Sequence, residues 1–215
     1  MLDDNNGYVK ASNRTAMSRA ALTIIPFLDF NHNGVKDIME PGVSGLELRN
    51  RSGQLTYNSD RTILRITELQ PYIDMVLEID PVSLDNIAWR ITNPKIKIHT
   101  IPNQFQEIHV PVVVMGEVSG MVYFKDDSGT SGQGRIIVNI LNETGETAAR
   151  ILTEGDGYFT YLGLRPGKYK AVIDADQLEN LGYSVSPKEF PFEILIDKYG
   201  DIEDTLEFTL KKKEE

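Results

Sequence analysis

The 215-residue sequence contains no cysteine. That absence removes disulfides, thiolate nucleophiles and zinc–thiolate centres at once. Histidine is nearly absent too: His32, His99 and His109 are the full set, so imidazole chemistry has few places to occur. No apolar run approaches the roughly 20 residues a membrane-spanning helix needs. Positive charge is in short supply, with 22 Lys and Arg against 32 Asp and Glu and a net charge of −10. Nucleic acids and anionic membranes need Lys and Arg to neutralise phosphates, so they are poor partners for this surface. The N-terminus, MLDDNNGYVKASNRTAMSRAA, lacks the apolar stretch and cleavage site of a secretory signal. The expectation is either a cytoplasmic protein or the mature or excised portion of a secreted one. No G-x-S-x-G elbow or comparable nucleophile–base–orienter arrangement surrounds any serine. Adjacent acids such as Asp126 and Asp127 sit on a polar turn, where solvation explains them. The chain reads as a non-enzyme.

Strand signals are abundant. TIIPFLDF, GLELRN, TILRIT, DMVLEID, KIKIHTI and EIHVPVVV are short, rich in β-branched residues and bounded by Gly, Pro, Asn or Asp. VSGMVYF, RIIVNIL, AARILT, YFTYLGL, KYKAVID and TLEFTL continue the pattern. Many alternate apolar and polar, as half-buried antiparallel strands do. Helical periodicity is confined to Ala175–Leu181, which Asp174 or Asp176 can cap. The fold class is all-β.

The two halves resemble each other. Leu69 and Pro71 correspond to Leu164 and Pro166; after a one-residue gap, Leu84, Asn86 and Trp89 correspond to Leu178, Asn180 and Tyr183. This divides the chain into a polar segment 1–19, a first sandwich 20–115, a second sandwich 116–210 and a charged tail 211–215. Little freedom is expected at the junction near Met115, because no Ser/Gly or Pro-rich linker separates the two. Glu154-Gly155-Asp156-Gly157 reads as a tight turn, and Pro166-Gly167 as a type I or II turn. Pro71 is followed by Tyr72, which favours type I there, since type II strains a non-glycine residue.

One segment carries ligand chemistry. From Asp29 to Glu40 the sequence fits the twelve-position calcium loop. Asp29, Asn31 and Asn33 fill positions 1, 3 and 5, Gly34 turns at 6, Val35 offers a carbonyl at 7, Asp37 sits at 9, and Glu40 closes at 12. Ca²⁺ is hard and takes six to eight oxygens, a demand this mixture of carboxylate, amide and carbonyl meets. The flanks are β-rich, with Pro41-Gly42 directly after Glu40, so the loop lies between strands and lacks the helices of a sensor. The same residues also suit a metal-free, Asx-rich turn. His32 points away from such an ion, and His99 and His109 sit among polar neighbours on strands. Asp126-Asp127-Ser128-Gly129, at the comparable place in the second half, lacks alternating ligands and a closing acid.

From Gly116-Glu117-Val118-Ser119-Gly120-Met121-Val122-Tyr123, through Thr153–Phe159, to Leu164-Arg165-Pro166-Gly167-Lys168-Tyr169, the second half resembles the carboxypeptidase-regulatory-like, or Cna-B-like, superfamily. FLDFNHNGVKDIMEPGVSGLEL in the first half is similar to the B-type repeats of bacterial serine-aspartate-repeat adhesins. The resemblance implies two tandem Greek-key sandwiches, Ig-like or transthyretin-like, in an extracellular or cell-surface bacterial protein. It implies a structural or interaction module whose partners are a calcium ion and neighbouring domains of a larger chain or another surface protein, without nucleic acid or membrane insertion. Some Cna-B-like modules carry a Lys–Asn crosslink; Lys125 ends a first strand, but Asp204–Leu210 has no Asn, so none is expected. The alternative is a carbohydrate- or other ligand-binding accessory module of a larger secreted or outer-membrane protein. A sugar would then stack on Trp89 and Tyr183, although burial in the core explains both aromatics more simply.

Overall fold

The computed structural model of the chain describes residues 2–3 and 9–10 as paired backbone, and residues 19–50 and 52–213 in full. The polar segment expected over 1–19 and the last two residues of the tail therefore lie mostly outside the described residues. The chain divides into two compact units, Met1–Val113 and Val114–Glu215.

In the first unit the strands are β1 (Leu2–Asp3), β2 (Val9–Lys10), β3 (Ala20–Leu28), β4 (Gln54–Tyr57), β5 (Leu64–Leu69), β6 (Asp74–Glu78), β7 (Trp89–Ile91), β8 (Lys95–His99) and β9 (Phe105–Val114). One sheet runs β4-β5-β3-β9-β7, a second consists of β6 and β8, and β1 pairs with β2. All nine residues of β3 are buried, so it lacks the alternation of a half-exposed strand. Its sequence, AALTIIPFL, is correspondingly apolar nearly throughout. Pro26 lies past the end of the β3–β5 ladder, and its carbonyl accepts from Val43 N–H at 2.9 Å. Its missing N–H thus faces the 41–43 segment, and the bonds to β9 are unaffected.

The expected strand GLELRN is reduced to a single bridge between Leu48 and Ile79. A side chain takes over part of the pairing there. The Asn50 amide donates to Val76 O at 2.6 Å and accepts from Glu78 N–H at 3.0 Å, so it pairs with the edge of β6 as a peptide group would. The turn at Pro71 also differs from expectation. Tyr72 has φ +59°, in the left-handed region, which excludes type I. Buried Thr100 holds this turn: its hydroxyl accepts from Ile73 N–H at 3.1 Å and donates to Gln70 O at 2.8 Å, while its carbonyl accepts from Tyr72 N–H at 2.8 Å.

The second unit contains β10 (Gly116–Asp126), β11 (Gly129–Gly132), β12 (Ile137–Asn142), β13 (Thr147–Leu152), β14 (Tyr158–Leu164), β15 (Gly167–Ile173), α1 (Ala175–Leu181), β16 (Tyr183–Ser186), β17 (Phe190–Ile194) and β18 (Ile202–Lys212). One sheet runs β11-β10-β18-β16, with β14 also on β10; the other runs β13-β12-β15-β17. Val118, Val122, Phe159, Leu206 and Phe208 from the first meet Val138, Ile140, Ala171 and Ile194 from the second in a buried core. This is a β-sandwich. Gly120 is required by that packing, since a Cβ there would lie 2.2 Å from Leu206 O. Gly167 already belongs to β15, with φ +152°, so it is not the second corner of a type I or II turn. The Glu154–Gly157 turn forms, with Gly157 at φ +89° and its N–H donating to Glu154 O at 3.0 Å. Lys211 and Lys212, expected in the tail, extend β18.

The units share a topology. In each, the first long strand pairs antiparallel with a later strand (β3 with β5, β10 with β14) and parallel with the last (β3 with β9, β10 with β18). Alternation suggests antiparallel strands, but it reports which face is buried and carries no information about partners, so the parallel pairs are not legible in it. In each, a strand then flanks the last one (β7, β16), and the opposite sheet holds one equivalent antiparallel pair (β6–β8, β15–β17).

A candidate calcium loop at the end of β3

The loop begins where β3 ends. Leu28 N–H donates to Pro41 O at 3.0 Å, and Asp29 N–H donates to Val112 O on β9 at 2.9 Å. The segment 29–40 is thus pinned at both ends to the sheet. His32 at φ +58° and Gly34 at φ +73° supply its left-handed corners; Asn-rich turns tolerate such corners, and glycine takes them without steric cost.

Two of the three acids are buried: Asp29 is 5% exposed and Glu40 4%. Each uses both carboxylate oxygens on loop backbone. Asp29 Oδ1 accepts from Asn33 N–H at 3.1 Å, and Oδ2 accepts from Gly34 N–H at 3.0 Å. Glu40 Oε1 accepts from Phe30 N–H and Oε2 from Asp37 N–H, both at 2.9 Å. A carboxylate oxygen carries two acceptor sites, so a single N–H leaves each oxygen able to bind further.

The remaining ligand positions are exposed. Asp37 Oδ2 accepts from the Asn31 amide at 2.7 Å and from the Asn33 amide at 3.0 Å, bringing positions 3, 5 and 9 together. The amide oxygens meanwhile accept from backbone: Asn31 Oδ1 from Asn33 N–H at 3.0 Å and Asn33 Oδ1 from Val35 N–H at 2.7 Å. Lys36, a contributor the spacing does not flag, donates from Nζ to Glu40 O at 3.2 Å. Among the described residues, no three His, Cys, Asp or Glu side chains already converge into a metal cluster. The five side chains at the expected ligand positions are instead tied into the loop by hydrogen bonds, and each carries at least one oxygen of the kind a hard cation takes. Rotation of the two Asn amides exchanges N for O, which is the rearrangement a cation beside Asp37 requires.

Elsewhere, the comparable loop of the second unit is a short hairpin in which Asp126 pairs with Gly129. Hydrogen bonds from the Ser128 hydroxyl and then its N–H hold the Asp126 carboxyl below the ordinary carboxylate range. Trp89 is 6% exposed, so it offers little ring surface to a sugar, although it borders a groove of about 420 Å³. Tyr183 is half-buried against Phe124, ring centroids 5.0 Å apart. His99 and His109 are exposed and lie 2.7 and 2.8 Å from Asp74 and Glu107. Lys125 is exposed as well.

No family model matches this sequence, and no curated protein matches it. Similar solved structures include the shaft pilin SpaA of Lactobacillus rhamnosus GG, at 11% identity and TM-score 0.40 over 92% of this chain and 98% of that one. The minor pilin of Streptococcus agalactiae gives 11% identity and TM-score 0.39 over 91% and 97%. The Bacillus anthracis TIE protein gives 16% and 0.37 over 89% of this chain, which spans about a third, 34%, of that protein. Scores this low carry no argument about role, and the β-sandwich assignment rests on the strand pairing above.

Proposed function

We propose that this chain is a non-catalytic structural and interaction module of a bacterial cell-surface or secreted protein. We further propose that Ca²⁺, held by Asp29, Asn31, Asn33, Val35, Asp37 and Glu40, braces its first unit. The surface setting is supported by the sequence resemblance to Cna-B-like and adhesin repeats. No helix among the described residues is long and apolar enough to cross a membrane. The observation that carries the calcium reading is the pair of buried carboxylates closing the loop from its two ends, Asp29 and Glu40, with Asp37 collecting both Asn amides between them. An oxygen-only donor set of this composition suits a hard divalent cation. Bound Ca²⁺ would supply the positive charge that three carboxylates in one loop lack. The protein's part is to hold those oxygens on a frame tied to β3 and β9.

The test is a calcium titration by calorimetry on chelator-treated protein. One site per chain is expected, with a dissociation constant on the order of 10⁻⁴–10⁻³ M, as in extracellular modules. Calcium at ten times that constant then stabilises the first unit by about 1.4 kcal/mol. Absence of heat, or unchanged heat in Asp37→Ala, removes the site.

A further inference from the structure

Strand β16 is the last of its sheet, with a side that no described strand covers. Lys213 N–H donates to Gly182 O at 2.9 Å, and the register next pairs Tyr183 with Lys212, Ser184 with Lys211 and Val185 with Leu210. Bonded and non-bonded pairs alternate along an antiparallel ladder. Gly182 and Ser184 therefore bond toward β18, and the N–H and C=O of Tyr183 and Val185 point to the open side. A groove of about 790 Å³ lies beside them. Its apolar wall includes Leu178, Tyr183 and Val185, each half-buried against the core. Its charged groups are Glu179, Lys188 and Lys213.

The duplication provides an internal contrast. Trp89 holds in β7 the place that Tyr183 holds in β16, and it is buried, in a strand of pattern buried–exposed–buried. In β16 no residue is fully buried, and Tyr183 leans toward Phe124. A smaller groove of about 420 Å³ borders Trp89 with Leu84 and Asn86, so the two positions differ in degree: the second unit's groove is the larger and its aromatic the more exposed. The charge also departs from the whole: two ammonium groups face one carboxylate in the groove, continuing from Lys211 and Lys212, in a chain of net charge −10.

We propose that β16 and this groove bind an extended peptide segment in which acidic and apolar residues alternate. The incoming backbone pairs with Tyr183 and Val185 as an added strand. Its apolar side chains settle on Leu178 and Tyr183, and its carboxylates face Lys188 and Lys213. At about 3.3 Å per residue, the four residues of β16 accommodate a segment of similar length, so single-site affinity is modest.

The experiment uses the full ¹⁵N-labelled chain with chelator present, which separates its outcome from that of the calcium reading. Two probe peptides of about six residues are titrated, one alternating Asp and Val, the other Lys and Val. The acidic peptide is expected to shift the amides of Gly182–Ser186, to weaken with added salt, and to bind at least about tenfold tighter than the basic one, about 1.4 kcal/mol. Lys188→Glu combined with Lys213→Glu, both at the groove rim, should reverse the preference. Val185→Pro removes an N–H that points away from β18 and should abolish binding, while Val185→Ala, which loses the same core contact and keeps the N–H, should still bind. Shifts mapping elsewhere, equal response to both peptides, no response to either, or a preference unchanged by the double charge reversal would overturn the proposal.

Discussion

The candidate calcium loop contains two kinds of acid, and their substitution should separate two kinds of effect. Asp29 and Glu40 each accept two backbone N–H groups and are buried, so they support the loop whether or not an ion is present. Asp37 is exposed and its partners are exposed Asn amides, contacts of small net worth to folding. Hydrogen bonds to a charged group contribute about 1.5–3 kcal/mol each when well buried, and less at a partly exposed loop. Removing two of them by Asp29→Ala should thus cost the first unit about 2–4 kcal/mol in chelator. Asp37→Ala should cost under about 0.5 kcal/mol in chelator. With calcium at tenfold over its dissociation constant, wild type gains about 1.4 kcal/mol, and Asp37→Ala should gain almost none of it. Trp89 is the sole tryptophan and lies buried in the first unit, so urea unfolding followed by its fluorescence reports on that unit alone. An Asp37→Ala protein that keeps the full calcium increment would refute the ligand assignment. An Asp29→Ala protein as stable as wild type in chelator would refute the account of the loop's own bonding.

Other perturbations follow from single side chains. Thr100→Val keeps the shape but leaves Ile73 N–H and Gln70 C=O without their hydroxyl partner; the same fluorescence assay should show a loss of about 2 kcal/mol, with Thr100→Ser much less affected. Asp174→Ala removes the N-cap of α1, whose carboxylate accepts from Gln177 N–H at 3.1 Å, and should cost about 1 kcal/mol in unfolding followed by the NMR amide signals of second-unit strands such as β12 and β15. That N–H first, and the Asn139 amide second, hold the Asp174 carboxyl below its ordinary value of 3.8. A depressed folded pKa contributes stability above the unfolded value that is lost on acidification through the folded one. In Asp174→Ala the fall in second-unit stability below about pH 4 should be shallower than in wild type; an unchanged slope would remove the linkage.

The strands hidden from the sequence lie at sheet ends, although four end strands, β6, β8, β13 and β14, are read from DMVLEID, KIKIHTI, AARILT and YFTYLGL. The interior strands β3, β5, β9, β10, β12, β15 and β18 are read directly from runs such as TIIPFL and RIIVNIL. The strands that escape, β4, β7, β11, β16 and β17, lie at the ends of their sheets. An end strand meets the core on one side and pairs on one edge, so its sequence is under weaker demand: YSVS and GTSG carry little β signal, and FPFEI contains a proline. Helix α1 is legible because its cap is local, Asp174 before it and Gly182 after it. The candidate ligand positions of the loop are legible as a pattern for the same reason, falling within twelve consecutive positions. Thr100, Asn50 and the groove beside β16 are not, since each depends on partners brought from distant parts of the chain, Thr100 from 27–30 residues away.

The shared topology also explains why the carboxylate-rich loop, the candidate ion site, occurs in the first unit and not at the comparable place in the second. After the first long strand, each unit must satisfy the backbone of the returning chain. The second unit does so with a hairpin: β11 folds back on β10, pairing Tyr123 with Gly132 through Asp126 with Gly129. The first unit forms no such ladder. Its returning chain meets β3 only at Pro41, Gly42 and Val43, so the intervening backbone would lack partners. Side chains replace the missing strand: Asp29 serves Asn33 and Gly34, Glu40 serves Phe30 and Asp37, and the Asn side chains serve residues two further on. Such a solution gathers acceptors, and acceptors gathered without donors of positive charge repel one another. Lys36 relieves this only through the Glu40 carbonyl. A loop that trades ladder bonds for carboxylates thereby creates the electrostatic condition for a cation, whereas the hairpin, with its backbone already paired, does not.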